Sequence, residues 1–189
     1  MDKIINRALR AALLDREFFQ EVEKDIDLNQ EALLVVIIVS VAGGVAAFIA
    51  GLINGNFGPA VLGLSISTAV GITNYYIWAY VTHYIGTKMF TAQAEPGELL
   101  RVLGYASAPR VLSLLVFFPY FGPLLGFAGS IWALVAGFVG AREALDLDTA
   151  ESLATVFLGW LTILIIGGAA KSILGISAIG LGSLLSLLG

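Results

Sequence analysis

Five stretches of the chain run for a helix-spanning length with almost no charge: residues 32–53, 60–85, 99–118, 121–141 and 152–170. About 20 apolar residues in a helix cross the ~30 Å hydrocarbon core of a bilayer, so the pattern predicts five transmembrane helices. The connections between them, "NGNFGP", "GTKMFTAQAEPGE", "PYFGP" and "REALDLDTAE", are short, and each carries Gly, Pro, Asn or Asp where a helix should stop. Ahead of the first span, "IINRALRAALLDREFFQEVEKDI" places Ile5, Leu9, Ala12 and Leu13 on one helical face and Phe18, Phe19, Val22 and Ile26 on a neighbouring one. Such a helix lies at the cytoplasmic headgroup layer or packs on the protein's own cytoplasmic loops. Glu17, Glu21, Glu23, Asp25 and Asp27 weaken attraction to anionic lipid and turn its second half toward protein. After the last span, "KSILGISAIGLGSLLSLLG" is apolar but interrupted by Gly175, Gly180 and Gly182. It is open to an interfacial, a re-entrant or a partial sixth-span reading. The organisation expected is an all-α, polytopic transmembrane helix bundle: a cytoplasmic amphipathic segment (1–31), a five-span domain (32–170) and an apolar tail (171–189).

Composition agrees: 58% of residues are hydrophobic and 13% charged, and the mean hydropathy is +0.92, far beyond a soluble domain. The absence of cysteine and the single histidine exclude thiol chemistry and a multi-histidine zinc site. No cofactor or metal is expected. Net charge is −4, and eight of the fourteen acids precede Ala32, so nucleic acid is not an expected partner. Nine of the ten Lys and Arg, all but Lys171, fall on residues 1–31, on the second and fourth connections, or on the third span between them. By the positive-inside rule the N-terminus is then cytoplasmic and, after five crossings, the C-terminus extracytoplasmic. Residues 1–31 lack the layout of a cleaved signal peptide.

Polar and small positions inside the spans carry the remaining information. Ser40, Gly44, Ala47 and Gly51 in the first span, and Gly126, Ser130, Ala133, Gly137 and Ala141 in the fourth, recur at helical spacing and permit close backbone approach. In the second span Ser67, Gly71, Asn74, Trp78 and Thr82 share one side, and Asn74 near mid-membrane needs a partner on another helix. His83 lacks a second titratable group for a proton relay. The third span holds "GYASAPRVLSLLVFF" (104–118), where an arginine follows a proline. Starting at Leu99, Arg110 lies about eleven residues or roughly 16 Å in, near mid-bilayer. Pro109 removes a backbone donor, frees the Tyr105 carbonyl and kinks the helix. Arg110 then either snorkels to a lipid phosphate, flanked by Ser107 and Ser113, or is buried between helices facing Asn74.

"LLRVLGYASAPRVL", with "DREFFQEVEKD" upstream and "IWALVAGFVGAREALDLDTAESLATVFLGWL" downstream, resembles the Yip-domain family of five-span membrane proteins over residues 14–170. That resemblance implies a cytoplasmic N-terminus, five helices and no enzymatic activity. Eukaryotic members act in vesicle traffic and bind prenylated small GTPases. Residues 1–31 are shorter than the cytoplasmic region those members often carry, which counts against GTPase binding and points to a compact prokaryotic relative in the plasma membrane. A non-enzymatic membrane organiser is the function expected. It recruits membrane lipids with anionic headgroups, protein partners or a second copy through Phe18, Phe19, Arg101, Ser107, Arg110, Ser113 and Asn74. The alternative is a small-solute or lipid permease or channel using Arg110 and Asn74 as its polar site. An intramembrane enzyme would need a nucleophile-and-base or carboxylate-and-metal set, which the spans do not offer.

Overall fold

A computed structural model of the protein describes residues 2–53, 55, 57–118 and 120–166; the apolar tail, 171–189, lies outside them. The described residues form helices and no strand. Two short helices, α1 (Asp2–Ala12) and α2 (Arg16–Lys24), precede a 3-10 turn at Ile26–Leu28. Then come α3 (Asn29–Ile53), α4 (Phe57–Met89), α5 (Pro96–Ala106), a 3-10 run at Ala108–Leu115 and α6 (Phe121–Leu145). The last described element is α7 (Thr149–Ile166). The two N-terminal helices are separate because the chain turns at Leu14, which takes a left-handed φ of 62°. Asp15 then caps α2 by accepting from the Phe18 backbone N–H at 3.1 Å.

Four helices, α3, α4, α6 and α7, are each long and apolar enough to cross a membrane. The expected span at 99–118 takes another form. Pro96 starts α5 in its first turn, and Glu98 accepts from the Glu95 backbone N–H at 3.4 Å. The α-helix ends at Ala106, because Pro109 offers no N–H and its ring excludes the carbonyl four residues back. Ser107 turns its hydroxyl onto the Gly104 carbonyl at 2.6 Å. Beyond it the chain continues as a 3-10 helix, stretched to about 2 Å per residue.

This broken segment nonetheless runs the length of α6 in the opposite direction. Val102 meets Gly140, Leu103 meets Gly137, Leu112 meets Gly129 and Val116 meets Gly126 and Gly122. From Gly140 to Gly122 is about 27 Å along a helix, close to the hydrocarbon thickness. A kinked pair of short helices therefore covers the depth of one expected span.

Small residues set the other contacts. On α3, a Cβ at Gly44 would stand 2.7 Å from the Leu64 carbonyl of α4, and one at Gly51 2.7 Å from the Ala60 Cβ. Gly137 of α6 lies under the Trp78 ring, and the Trp78 indole reaches the Val156 carbonyl of α7 at 3.5 Å. The most deeply buried large side chains, Tyr105, Phe18, Phe19, Leu99, Leu103 and Leu145, gather at the end of the bundle where α2 and α5 meet the last turns of α6. Elsewhere the outer faces of the spans carry exposed Leu, Ile, Val and Phe. Lipid tails are as apolar as those side chains, so nothing drives them inward.

Candidate functional site

The site is the junction that holds α1 and α2 against the bundle. Within α2 the apolar residues Phe18, Phe19 and Val22 fall on one face and are almost fully buried. Phe18 meets Tyr105 of α5 edge to face, with ring centroids 5.1 Å apart at 85°, and Phe19 lies against Gly140 of α6. Arg10 covers the outside: its guanidinium sits 5.0 Å over the Phe18 ring and bridges Asp15 at 2.6 Å and Glu21 at 3.0 Å. The hydrogen bond from Arg10 holds the Asp15 carboxyl below its ordinary pKa.

Arg101 closes the other end of α2. It is 5% exposed. Nε donates to the Val22 carbonyl at 2.9 Å and Nη2 to the Glu23 carbonyl. Nη1 donates to Asn29 Oδ1 at 3.1 Å. A guanidinium placed on the last carbonyls of a helix satisfies acceptors that have no intrahelical donor and meets the negative end of the helix dipole. The Glu23 carboxylate takes no part: one of its oxygens is buried without a hydrogen-bond partner. Burial pushes its pKa up, and Asp146, Glu98 and Glu143 add to the rise while Lys24 opposes it.

A third tie joins three helices through Glu31. Arg7 of α1 contacts Glu31 Oε2 at 2.6 Å, and the Tyr105 hydroxyl donates to Oε1 at 2.7 Å. Two further bonds pin this end to α6: the Trp132 indole N–H donates to the Ala12 carbonyl at 2.7 Å, and Gln20 Nε2 to Glu143 at 2.7 Å. Glu31 and Arg7 were not singled out by sequence reasoning, and Trp132 entered only as part of the segment 131–161 that carries the family resemblance. Glu31 alone carried a usable signal, as the acid nearest the start of an apolar span.

The sequence-derived candidates separate into two groups. Phe18, Phe19 and Arg101 meet in this junction, facing protein and not lipid. The Ser107 hydroxyl bonds the Gly104 carbonyl, and the Ser107 carbonyl accepts from the Arg110 backbone N–H at 3.0 Å, so neither reaches the guanidinium. Arg110 stands at the level of Gly129, about 16 Å along α6 from Gly140. Residues three apart share a face in a 3-10 helix, which sets Arg110 with Ser113, and Ser113 reaches α3 at Gly43. Among the described residues the Arg110 guanidinium has no hydrogen-bond or ion-pair partner, and the Asn74 amide has none either. No bond joins the two. Next to Asn74, Tyr75 donates its hydroxyl to the Leu100 carbonyl at 2.8 Å. Ser130 bonds the Gly126 carbonyl of its own helix at 3.0 Å. A Cβ at Gly44, Gly51, Gly126 or Gly137 would press on Leu64, Ala60, the Val116 side chain or the Trp78 ring, respectively.

Among the described residues no three His, Cys, Asp or Glu side chains are grouped to hold a metal ion. The chemistry available at the junction is that of fastening: carbonyls capped by a cation, a carboxylate shared by a cation and a phenol, and aromatic rings packed on glycine. A family model described as the Yip1 domain matches residues 12–170, which contains α2, Arg101, Pro109 and every spanning helix. No curated protein and no solved structure matches the chain.

Proposed function

The chain belongs to the Yip1-domain family of multi-pass membrane proteins, and from that premise we propose that it is a non-enzymatic membrane organiser. In this reading α1 and α2 form a cytoplasmic headpiece, latched to the bundle, that presents a surface to lipid and to protein partners. The observation that carries it is the Arg101 cap on α2 together with the buried Phe18 and Phe19. A segment fastened this firmly is a built part of the domain. Its partner helix α1 and the turn after it leave Ile5, Leu9 and Leu13 exposed, as an interfacial helix does toward a bilayer. The distribution of Lys and Arg supports a cytoplasmic headpiece.

Replacing Phe18 and Phe19 together with Ser tests the latch. The reading expects α2 to become protease-sensitive while the protein stays in the membrane. Unchanged protection of α2 in the double variant overturns it.

One observation favours a second reading. Arg110 and Asn74 both lack polar partners among the described residues, as the binding groups of a small-solute or lipid permease would. Against it, the two are not bonded to each other, and the 3-10 run packs on α3 and α6 while α4 packs on α3 and α5. Reconstituted liposomes separate the readings. Uptake of an anion that disappears in Arg110→Ala, with the melting temperature unchanged, supports transport. Loss of melting temperature or of co-purified anionic lipid in that variant, with no flux in the wild type, supports the organiser.

A further inference from the structure

An apolar trough in two compartments, which share Trp132 as a wall, runs from beneath α1 past Leu14 onto α6. The first, of about 420 Å³, is walled by Ile5 and Leu9 of α1, Ile38 of α3, and Pro109 and Leu112 of the 3-10 run. The second, of about 430 Å³, lies along α6 between Leu14, Phe127 and Ile131. Trp132 lines both. We infer that this trough is a binding site for one two-chain phospholipid with an anionic headgroup, an acyl chain on each side of Trp132. This deepens the organiser reading and rests on it, since it requires α1 to be seated on the membrane surface.

Four observations select this occupant. Both compartments open at the sides where spanning helices show outward-facing residues, Ile38 at 50% and Phe127 at 62% exposure, so the medium beside them is hydrocarbon. Neither contains a polar group free to bind: the one lining N–H, that of Trp132, is already given to the Ala12 carbonyl. A polar solute has nothing to hold there, whereas methylenes transfer at no polar cost. There are two compartments, one on each side of Trp132, as the two acyl chains of one phospholipid require.

Charge supplies the fourth. Arg7 and Arg10 are neutralised by Glu31, Asp15 and Glu21. Lys3, near the start of α1, and Arg16, at the start of α2, are exposed and form no ion pair among the described residues, Lys3 acting on Glu31 only at longer range. Arg16 follows two residues after Leu14, a wall of the second compartment. Cations left unpaired beside an apolar trough complement a phosphate at the headgroup level.

The experiment uses the full chain in phosphatidylcholine vesicles doped with phosphatidylglycerol or phosphatidylcholine bearing a photoactivatable acyl chain, with crosslinks mapped by mass spectrometry. The anionic probe is expected to mark residues 35–39 and 108–112 more strongly than the outer face of α4 at Leu62, Ile66 and Val70. Two cations near an anionic headgroup favour it over a zwitterionic one by about tenfold or more. Ala8→Phe, which fills the first compartment, should remove its labelling. Lys3→Gln combined with Arg16→Gln leaves the walls untouched and should bring the two probes to parity at the same positions.

Hydrogen exchange on α2 is read in every sample. Labelling spread evenly over the trough and α4 overturns the inference, and so does trough labelling indifferent to Ala8→Phe while α2 stays protected. Trough positions left unlabelled by both probes while α4 is labelled also overturn it. In these cases a protected α2 leaves the organiser reading standing. An unprotected α2 in the wild type defeats both.

Discussion

Removing the Arg101 guanidinium should release α2 without unfolding the bundle. In Arg101→Ala the carbonyls of Val22 and Glu23 and the amide oxygen of Asn29 lose their donors together. A hydrogen bond to a charged group contributes about 1.5–3 kcal/mol, and a buried acceptor left unpaired costs about 1–3 kcal/mol. The Nε bond is buried, but the other two are half-exposed, so water can replace them in part. The sum is then about 2–4 kcal/mol, which is a roughly 30- to 700-fold rise in the population of the released headpiece. Hydrogen exchange of the α2 amides reads that population directly, with α6 amides as the internal reference. Arg101→Lys should restore only part of the protection, because an ammonium on a flexible stem cannot serve three acceptors held in a planar fork. Exchange of α2 in Arg101→Ala within about threefold of wild type would refute the latch. An equal rise in α2 and α6 would refute it differently, by showing that Arg101 supports the whole fold.

Four further outcomes are expected. The Glu23 carboxyl has a folded-state pKa raised by burial, so its contribution to headpiece docking is fully present below the unfolded value and is lost as pH rises through the folded one. Glu23→Gln should therefore strengthen α2 protection at neutral pH and flatten its loss between acid and neutral pH; a pH profile identical to wild type is the contrary result. Asp15 has the opposite sign: its pKa is lowered by Arg10, so its contribution is lost as pH falls through that value, and Asp15→Asn removes this acid limb. Single cysteines at Asn56 and Lys88 should label from opposite faces of the membrane, and labelling from one face contradicts the topology. Gly44→Leu, whose Cβ would meet the Leu64 carbonyl at 2.7 Å, should force α3 from α4 at a cost of about 1–3 kcal/mol, seen as a lower melting temperature; an unchanged melt would mean that the helices yield freely there.

Hydrophobicity and charge are written locally, and what depends on them was legible in the sequence: apolar runs of spanning length, an amphipathic segment ahead of them, a break at Pro109. The apolar stripe of Phe18, Phe19 and Val22 announced burial but not against what, because transfer out of water is non-directional and lipid and protein serve it equally. Only the packed structure sets Phe18 on Tyr105 and Phe19 on Gly140. Pro109 predicted the end of an α-helix; that the chain goes on as a 3-10 run along α6 depends on Gly129, Gly126 and Gly122 offering it a flat surface. The two arginines of this segment show the limit most plainly. Arg110 drew attention because an intramembrane cation is conspicuous in sequence, yet among the described residues it has no partner. Arg101, at the charged margin of the span, is the one the fold surrounds with acceptors. Those acceptors lie 72 to 79 residues away along the chain, and backbone carbonyls carry no side-chain signature. The sequence by itself determined that the protein sits in a membrane and where its helices run. Which cation fastens its N-terminal helices was decided by tertiary structure, because carbonyl acceptors exist at every position and only the folded chain selects those left unpaired at a helix end.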